Sequence, residues 1–275
     1  MNALRFDSTA TAAWAAFSGD YNPIHFDPAF ARSTIGTEGT VVHGMLAMLA
    51  LKQAVSERPW AGDGWLQWTG MLKQAMPSQL DYAVHLSAPE ADAKVRFRLH
   101  SPADAEKRIL GNCAPVAFDT APYRTPPRHV LDAAAVNERL QGFADAFPAA
   151  TSCWVAIDAL IFAEYIQRHS IDTFREDIVQ HFGAEMEIDL GKASLLTMQT
   201  HHRCIFRTAL LQDVGHFTFD RIAYDIRKID EITTHDSLFA TIDIPVWLND
   251  TLSQVVQIGL MARKKPALPH EEAEL

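Results

Sequence analysis

A chain of 275 residues that is 48% hydrophobic can bury a sizeable core and is long enough for two domains of ordinary size. Its formal net charge of −10 argues against a nucleic-acid-binding protein, because phosphates are met by clustered Lys and Arg that this sequence does not gather. No stretch approaches the ~18 uncharged apolar residues of a membrane span, and no basic leader precedes an apolar core at the start. We therefore expect a cytoplasmic protein that binds neither nucleic acid nor membrane.

The cysteines of the chain predict no covalent or metal framework. Cys113, Cys153 and Cys204 are odd in number and lack the paired spacing of a disulfide scaffold or a zinc site. We expect buried free thiols.

The first half of the sequence predicts one buried helix followed by antiparallel strands. The stretch "HGMLAMLALKQAVSERPW", from residue 43, is apolar nearly all round, which is typical of a helix enclosed by other structure. Alternation with a period of two then predicts half-buried strands. These strands lie in "LQWTGMLKQ", "LDYAVHLS", "KVRFRLH" and "RILGNCAPVAF".

A proline-rich stretch separates two patterned regions of the chain. Residues 119–129 read "DTAPYRTPPRH" and contain three prolines, a composition typical of a linker. We predict a first domain over residues 1–120, a linker over 121–129, a second domain over 130–263 and a flexible tail over 264–275.

The second domain repeats the order of elements without similarity of individual residues. A polar helix near residues 130–143 precedes a largely apolar helix in "TSCWVAIDALIFAEYIQRH", with Thr151 or Ser152 as its N-cap. Four antiparallel strands are then predicted, in "SLLTMQTHHRCIFRTALLQ", "FTFDRIAYDIRKID", "SLFATIDIPVW" and "SQVVQIGLMARK". Twice over, therefore, the pattern predicts a sheet curled around a buried helix.

The stretch "SGDYNPIHFDPAFA", from residue 18, places an acid, an amide and an imidazole close together in the sequence, at Asp20, Asn22 and His25. Pro23 pushes the residue before it out of helical geometry, so the three side chains lie on an irregular segment where they can converge. A partly buried carboxylate and imidazole can hold a water molecule and exchange protons with it. The alternative is a simple turn in which Asp20 and Asn22 bond their own backbone.

A glycine opens the first buried helix, in the stretch "VVHGM" from residue 41. At Gly44 the free N–H groups and the positive end of the helix dipole can polarise a carbonyl oxygen, and the missing side chain leaves room for a ligand. The alternative for Gly44 is close packing at a helix start. His43 is interpreted as an N-terminal cap or as a residue that supports the site from behind.

Together, "SGDYNPIHFDPAFA" and "VVHGM" closely resemble the signature of MaoC-like dehydratases, the (R)-specific enoyl-CoA hydratases. The resemblance implies an α+β fold, a double hot-dog in which antiparallel sheets wrap around two long central helices. It also implies reversible addition of water to a trans-2-enoyl thioester, giving the (R)-3-hydroxyacyl thioester. The substrate would be carried on coenzyme A or an acyl carrier protein, without a further cofactor.

The resemblance also implies roles for individual residues. Asp20 and His25 would activate the water, and the N–H of Gly44 would bind the thioester carbonyl and stabilise developing charge. Asn22 would steady the segment, and Asn22, His43 and Met45 are candidate substrate-binding residues. No metal is expected. Lys52, where relatives often have a small or hydroxyl residue, either points to solvent or alters the pocket.

No counterpart of the motif precedes the second central helix, so the resemblance implies a degenerate second half that makes room for the acyl chain. One alternative is a thioesterase in this half, built on Asp158 or Glu164 with His201 and His202. Helix acids usually face solvent or pair with a base, and adjacent histidines on a strand point to opposite faces, which disfavours both a thioesterase and a metal site. A non-catalytic subunit that binds acyl thioesters or docks their carrier is the other alternative. Homodimerisation is a further expectation.

Overall fold

The computed structural model describes residues 3–88, 93–104, 106–183 and 195–264. The first half contains β1 (Leu4–Arg5), α1 (Ser8–Ser18), α2 (Pro28–Ile35), α3 (Gly44–Ser56), β2 (Trp65–Leu72), β3 (Asp81–Leu86), β4 (Val95–His100) and β5 (Lys107–Val116). The second half contains β6 (His129–Leu131), α4 (Ala133–Ala146), α5 (Cys153–Arg168), α6 (Ser170–Phe182), β7 (Leu195–Arg207), β8 (Ile222–Tyr224), β9 (Arg227–Thr233), β10 (Ser237–Leu248) and β11 (Thr251–Lys264). Short 3-10 turns lie at Pro23–His25, Ala121–Tyr123, Thr208–Leu211 and Val214–His216.

The described strands form one continuous antiparallel sheet. Their order is β1-β3-β4-β5-β2-β7-β11-β10-β8-β6, with β9 paired to β10. The two halves join where β2 pairs with β7, in a register that runs from Trp65 opposite Arg207 to Met71 opposite His201. The fold is thus a double hot-dog, as predicted, in which the two predicted sheets share a common edge.

The central helices α3 and α5 form because their sequences offer apolar side chains in almost every direction. Of α3, Met45 through Leu49 are all buried. Of α5, every residue from Cys153 to Tyr165 is buried. A helix that is apolar all round is stable only when other structure covers it on all sides, and here the sheet and the neighbouring helices do so.

Several predicted elements differ from the structure. Helices α1 and α6 were not among the predicted elements, and the predicted strand that begins at residue 217 is divided into β8 and β9. The division falls at Asp225, whose buried carboxylate accepts hydrogen bonds from Arg128 Nε at 2.7 Å and from the N–H of Ile226 at 3.0 Å. Apart from its first residue, Lys264, the predicted tail 264–275 lies outside the described residues.

The cysteines and the lengths of the helices also bear on expectations from the sequence. All three cysteines are free and buried, as predicted. Among the described residues, no helix combines the length and the apolar character needed to cross a membrane.

Candidate active site

The segment that carries the opening motif is fixed by local hydrogen bonds. Helix α1 ends at Gly19, whose φ of 75° is a left-handed conformation that suits glycine, and Asp20 follows directly. Asp20 Oδ1 accepts a hydrogen bond from the N–H of Asn22 at 3.3 Å, and Asn22 Oδ1 accepts one from the N–H of Ile24 at 3.2 Å. The turn-type bonding weighed as an alternative is therefore present, but it uses only one oxygen of Asp20.

The second oxygen of Asp20 faces His25. Asp20 Oδ2 and His25 Nε2 are 3.9 Å apart, and the Asp20 side chain is 23% exposed. His25 itself is buried, and its Nδ1 lies 2.7 Å from the carbonyl oxygen of Val41. Because a carbonyl oxygen can only accept a hydrogen bond, the proton of the neutral His25 ring lies on Nδ1. Nε2 therefore has a lone pair, which is directed towards the Asp20 carboxylate.

Burial sets the protonation state of His25. Desolvation lowers the pKa of His25 below 6.5, against the opposing influence of the Asp20 carboxylate and the Val41 carbonyl. The ring is therefore neutral at pH 7. A neutral imidazole beside a partly buried carboxylate has the chemistry of a general base.

His43 contacts both residues of this pair. Its ring stacks on that of His25 with centroids 3.6 Å apart, and its Nε2–H donates to the backbone carbonyl of Asp20 at 3.0 Å. Burial, followed by the neighbouring His25, lowers the pKa of His43 to about 4. His43 occupies the N-cap position of α3 without a side-chain capping bond, and it is not part of the described cavity lining. The geometry gives it a supporting place rather than the substrate contact counted among the candidates.

A cavity of about 420 Å³ brings the predicted residues together. Asp20, Asn22, His25, Gly44 and Met45 all contribute to its wall. Gly44 is the first residue of α3, so its N–H has no partner within the helix and stands at the positive end of the dipole. An added Cβ on Gly44 would lie 2.9 Å from Leu72 Cδ2, so a larger residue would narrow this part of the cavity.

A large part of the cavity wall comes from the second half. It includes Phe162 and Tyr165 on α5, Phe174 on α6, Gln199 on β7 and Leu260 on β11. The sequence did not point to these individual residues, since they lie far from the motif along the chain. The resemblance implied that the second half makes room for an acyl chain, but it named no residue there.

Asp20, His25 and His43 also lie close enough to be considered as metal ligands, with one atom of each within 4.8 Å of the others. Two of their ring nitrogens are already engaged with the carbonyl oxygens of Val41 and Asp20. The lone pair of an imidazole lies in the ring plane, and two rings stacked at 25° direct their lone pairs along similar planes rather than at one point. The arrangement favours proton transfer, and the expected absence of a metal stays a prediction.

The position of Lys52 excludes one of the two alternatives given for it. The other, an altered pocket, stays a prediction, because Lys52 is not part of the described cavity lining. Lys52 is fully buried, which excludes the solvent-facing alternative. Its Nζ forms an ion pair with Asp158 Oδ2, and it also lies 5.1 Å from the centroid of the Trp68 ring. Asp158 Oδ1 lies 2.8 Å from His202 Nε2.

Asp158 and Glu164 are both fully buried and paired with bases, which is the second of the two possibilities given for helix acids. Glu164 pairs with Arg139 and Arg168. Burial raises the pKa of Asp158, but His202 and Lys52 outweigh it and bring the pKa to about 2. Neither acid belongs to the described cavity lining. Asp158 and His202 are in contact, but both lie outside the described cavity lining, which disfavours the thioesterase alternative.

Comparison with solved structures places the chain in the class of double hot-dog proteins. A conserved hypothetical protein of Mycobacterium tuberculosis with a double hot-dog fold is 9% identical, with 95% of this chain and 94% of that chain covered and a TM-score of 0.51. A structure described as a MaoC-like dehydratase is 10% identical, with 96% of each chain covered and a TM-score of 0.50. At these identities the likeness establishes the fold alone.

The first part of the chain also matches a family at the level of sequence. Residues 3–68 match the family model described as MaoC like domain. Over 42 residues the chain is 55% identical to an (R)-specific enoyl-CoA hydratase of Aeromonas caviae, covering 15% of this chain and 31% of that relative. The match thus spans about a third of the relative's length. The predicted resemblance to MaoC-like dehydratases is confirmed for the segment that carries the motif.

Proposed function

We propose that this protein catalyses the hydration of trans-2-enoyl thioesters to (R)-3-hydroxyacyl thioesters, or the reverse dehydration. The observation that carries this proposal is the convergence of Asp20, His25 and the N-terminus of α3 on one cavity. The cavity combines a carboxylate, a neutral imidazole and a free N–H at Gly44. These are the groups that addition of water to a conjugated thioester requires.

The separation of Asp20 Oδ2 and His25 Nε2, 3.9 Å, suits a single bridging water molecule. A water about 2.8 Å from each atom would donate one hydrogen to the carboxylate and the other to the imidazole lone pair. As the water oxygen bonds to the β-carbon, one water proton passes to the pair. A proton returns from the pair to the α-carbon, so that hydrogen and hydroxyl are added across the double bond.

The electron pair of the double bond moves towards the thioester carbonyl during this addition. The N–H of Gly44, at the positive end of α3, would donate to that oxygen and stabilise its developing negative charge. Such a donor contributes on the order of 100-fold or more in rate. No cofactor is needed, because each proton and electron pair is accounted for by the substrate, the water and the two side chains.

The apolar residues of the second half supply the place for the acyl chain. Phe162, Phe174 and Leu260 line the same cavity as the motif residues. An acyl chain lying against them would be removed from water, which contributes about 0.8 kcal/mol for each buried methylene. Coenzyme A and an acyl carrier protein present the same thioester, and the proposal covers both.

Incubation with crotonyl-CoA and longer enoyl-CoAs tests the proposal, with turnover followed as loss of the conjugated thioester absorbance. We expect Asp20→Asn and His25→Ala each to lower kcat/KM by about 100- to 10,000-fold, the range typical of general acid–base groups. Asp63→Asn and His85→Ala, at exposed positions away from the cavity, are matched controls that keep wild-type rates.

Different results would support the alternatives. Turnover that persists in both Asp20→Asn and His25→Ala would remove this pair from the mechanism. Tight binding of acyl thioesters without turnover would indicate the non-catalytic subunit. Release of free thiol, detected with a thiol-reactive dye in the same incubation, would indicate hydrolysis instead of hydration.

A further inference from the structure

A chain of buried polar side chains runs from the interface of the two central helices to the cavity wall. Lys52 on α3 is ion-paired with Asp158 on α5, and Asp158 Oδ1 lies 2.8 Å from His202 Nε2. The other ring nitrogen, His202 Nδ1, lies 3.1 Å from Nε2 of Gln199. Gln199 lines the cavity. Lys52, Asp158 and His202 are completely buried. Gln199 is the residue of this network whose side chain a ligand in the cavity can contact.

The direction of each hydrogen bond in this chain follows from the charges. Asp158 is an anion, because its pKa is lowered to about 2, so it accepts from both Lys52 and His202. Desolvation by burial lowers the pKa of His202, so the ring is neutral and carries its single proton on Nε2. His202 Nδ1 must then accept, so the Gln199 amide presents its nitrogen, and not its oxygen, to this atom. The second amide hydrogen of Gln199 faces Met45 Sδ, 3.7 Å away.

This assignment fixes which end of the Gln199 amide is available to a ligand. Both amide hydrogens are engaged, so among the described residues the oxygen Oε1 is the end of the amide that is available to a ligand. It lies 3.5 Å from the position that a Cβ on Gly44 would take, beside the site proposed for the thioester carbonyl. A ligand bound there meets a hydrogen-bond acceptor whose orientation is set from the protein core.

We propose that Gln199 Oε1 accepts a hydrogen bond from the amide N–H nearest the sulfur in the thiol arm of the substrate, and that His202 is the positioning residue that holds Gln199. The ligand class rests on the proposed function. Close to its carbonyl, an unbranched 3-hydroxyacyl thioester has two donors, the 3-hydroxyl and this amide. The hydroxyl lies with Asp20 and His25, which leaves the amide for Gln199. Coenzyme A and acyl carrier proteins share this amide.

Calorimetric binding of saturated thioesters tests the proposal independently of turnover. Butyryl-CoA, a butyryl-acyl carrier protein and butyryl-N-acetylcysteamine contain the amide, whereas S-pentyl thiobutyrate does not. Gln199→Leu is expected to weaken binding of an amide-bearing ligand about tenfold, the effect of one lost hydrogen bond, and to leave the Kd of S-pentyl thiobutyrate unchanged. Comparison of the coenzyme A and carrier-protein ligands tells which source the site accepts.

Two further variants complete the experiment. Gln67→Leu makes the same change on β2, outside the described cavity lining, and should bind all ligands like the wild type. His202→Asn should lose the preference for the amide while still binding S-pentyl thiobutyrate, a selectivity that a purely structural role would not produce.

The outcomes separate this inference from the proposed function. An equal loss for ligands with and without the amide, no loss in Gln199→Leu, or no binding of any thioester to the wild type would overturn it. Selective loss of amide-bearing ligands in a protein that does not hydrate enoyl thioesters would support the Gln199 contact and overturn the lyase proposal.

Discussion

The two central helices begin in similar surroundings but leave their first N–H groups in different states. At the start of α3, Gly44 lines the cavity and its N–H has no partner within the helix. At the start of α5, the N–H of Cys153 donates to the carbonyl oxygen of Gln212 at 2.8 Å. The N–H of Ser152 just before it lies 3.3 Å from Gln53 Oε1. One helix start is open to a ligand and the other is occupied by the protein itself.

This difference explains why the candidate site lies at the start of α3 and not at the start of α5. Every helix N-terminus provides unpaired N–H donors and a positive potential. Other groups of the protein can occupy these donors by accepting hydrogen bonds from them. In the second half the Gln212 carbonyl occupies the place that a substrate oxygen would need. The second half instead contributes the apolar wall of the cavity and Asp158, the buried partner of Lys52. The second half therefore encloses the cavity and pairs with the buried lysine of the first half.

The largest expected effect concerns the ion pair that joins the halves. Lys52→Met leaves Asp158 charged and without its lysine in a fully buried place, so the free energy of unfolding should fall by about 3 kcal/mol or more. Chemical denaturation at pH 7 measures this change. The double variant Lys52→Met/Asp158→Asn removes both charges and keeps an acceptor for His202, so most of the stability should return. Failure of the double variant to recover would show that the buried charge is not the cause.

A smaller effect is expected from substitutions of Gly44 at the start of α3. Gly44→Pro and Gly44→Ala both add a Cβ near Leu72, but only proline removes the N–H, at the helical position where proline is tolerated. We expect kcat/KM of Gly44→Pro to lie about 100-fold below that of Gly44→Ala. Steady-state kinetics with an enoyl-CoA measures the ratio. Equal rates in the two variants would exclude the Gly44 N–H as a carbonyl donor.

The same substitution at the occupied helix start is the matched control. Cys153→Pro removes the hydrogen bond to Gln212, so it should cost about 1 kcal/mol or more of stability. The rate per folded molecule should stay close to that of the wild type, because this N–H faces protein. A large loss of activity without unfolding would mean that the second helix start takes part in the reaction.

The smallest expected effect is a change of rate with pH. Burial lowers the pKa of His25 below 6.5, so the neutral base predominates at pH 7 and its fraction falls in more acid solution. For hydration, kcat/KM should fall with decreasing pH, with a midpoint below 6.5. Because the Asp20 carboxylate raises the pKa of His25, Asp20→Asn should lower it further, which titration of the His25 ring by NMR measures. A pKa above 6.5 in the wild type would contradict this account.

The sequence identified much of the candidate site because its residues lie near one another along the chain. Asp20, Asn22 and His25 share one turn, and Gly44 follows after a single short helix. Local rules also predicted the two central helices and most of the strands. Gln199 escaped prediction, since its place beside Gly44 depends on the pairing of β2 with β7, which joins distant parts of the chain.

The environments of Lys52 and Asp158 show the limit of local rules most clearly. An isolated lysine or aspartate on a helix is expected at the surface. Burial of a single charge costs far more free energy than one residue contributes by being helical. The two residues are 106 positions apart and are buried only because folding brings them together.

The sequence by itself determined two buried helices, each with antiparallel strands after it, and the motif of the first half, because both depend on short-range periodicity and spacing. The tertiary structure alone decided that the start of α5 is occupied, which side chains enclose the cavity and which charges are buried. Those features depend on contacts between residues far apart in the chain, whose energies do not exist until the two halves pack against each other.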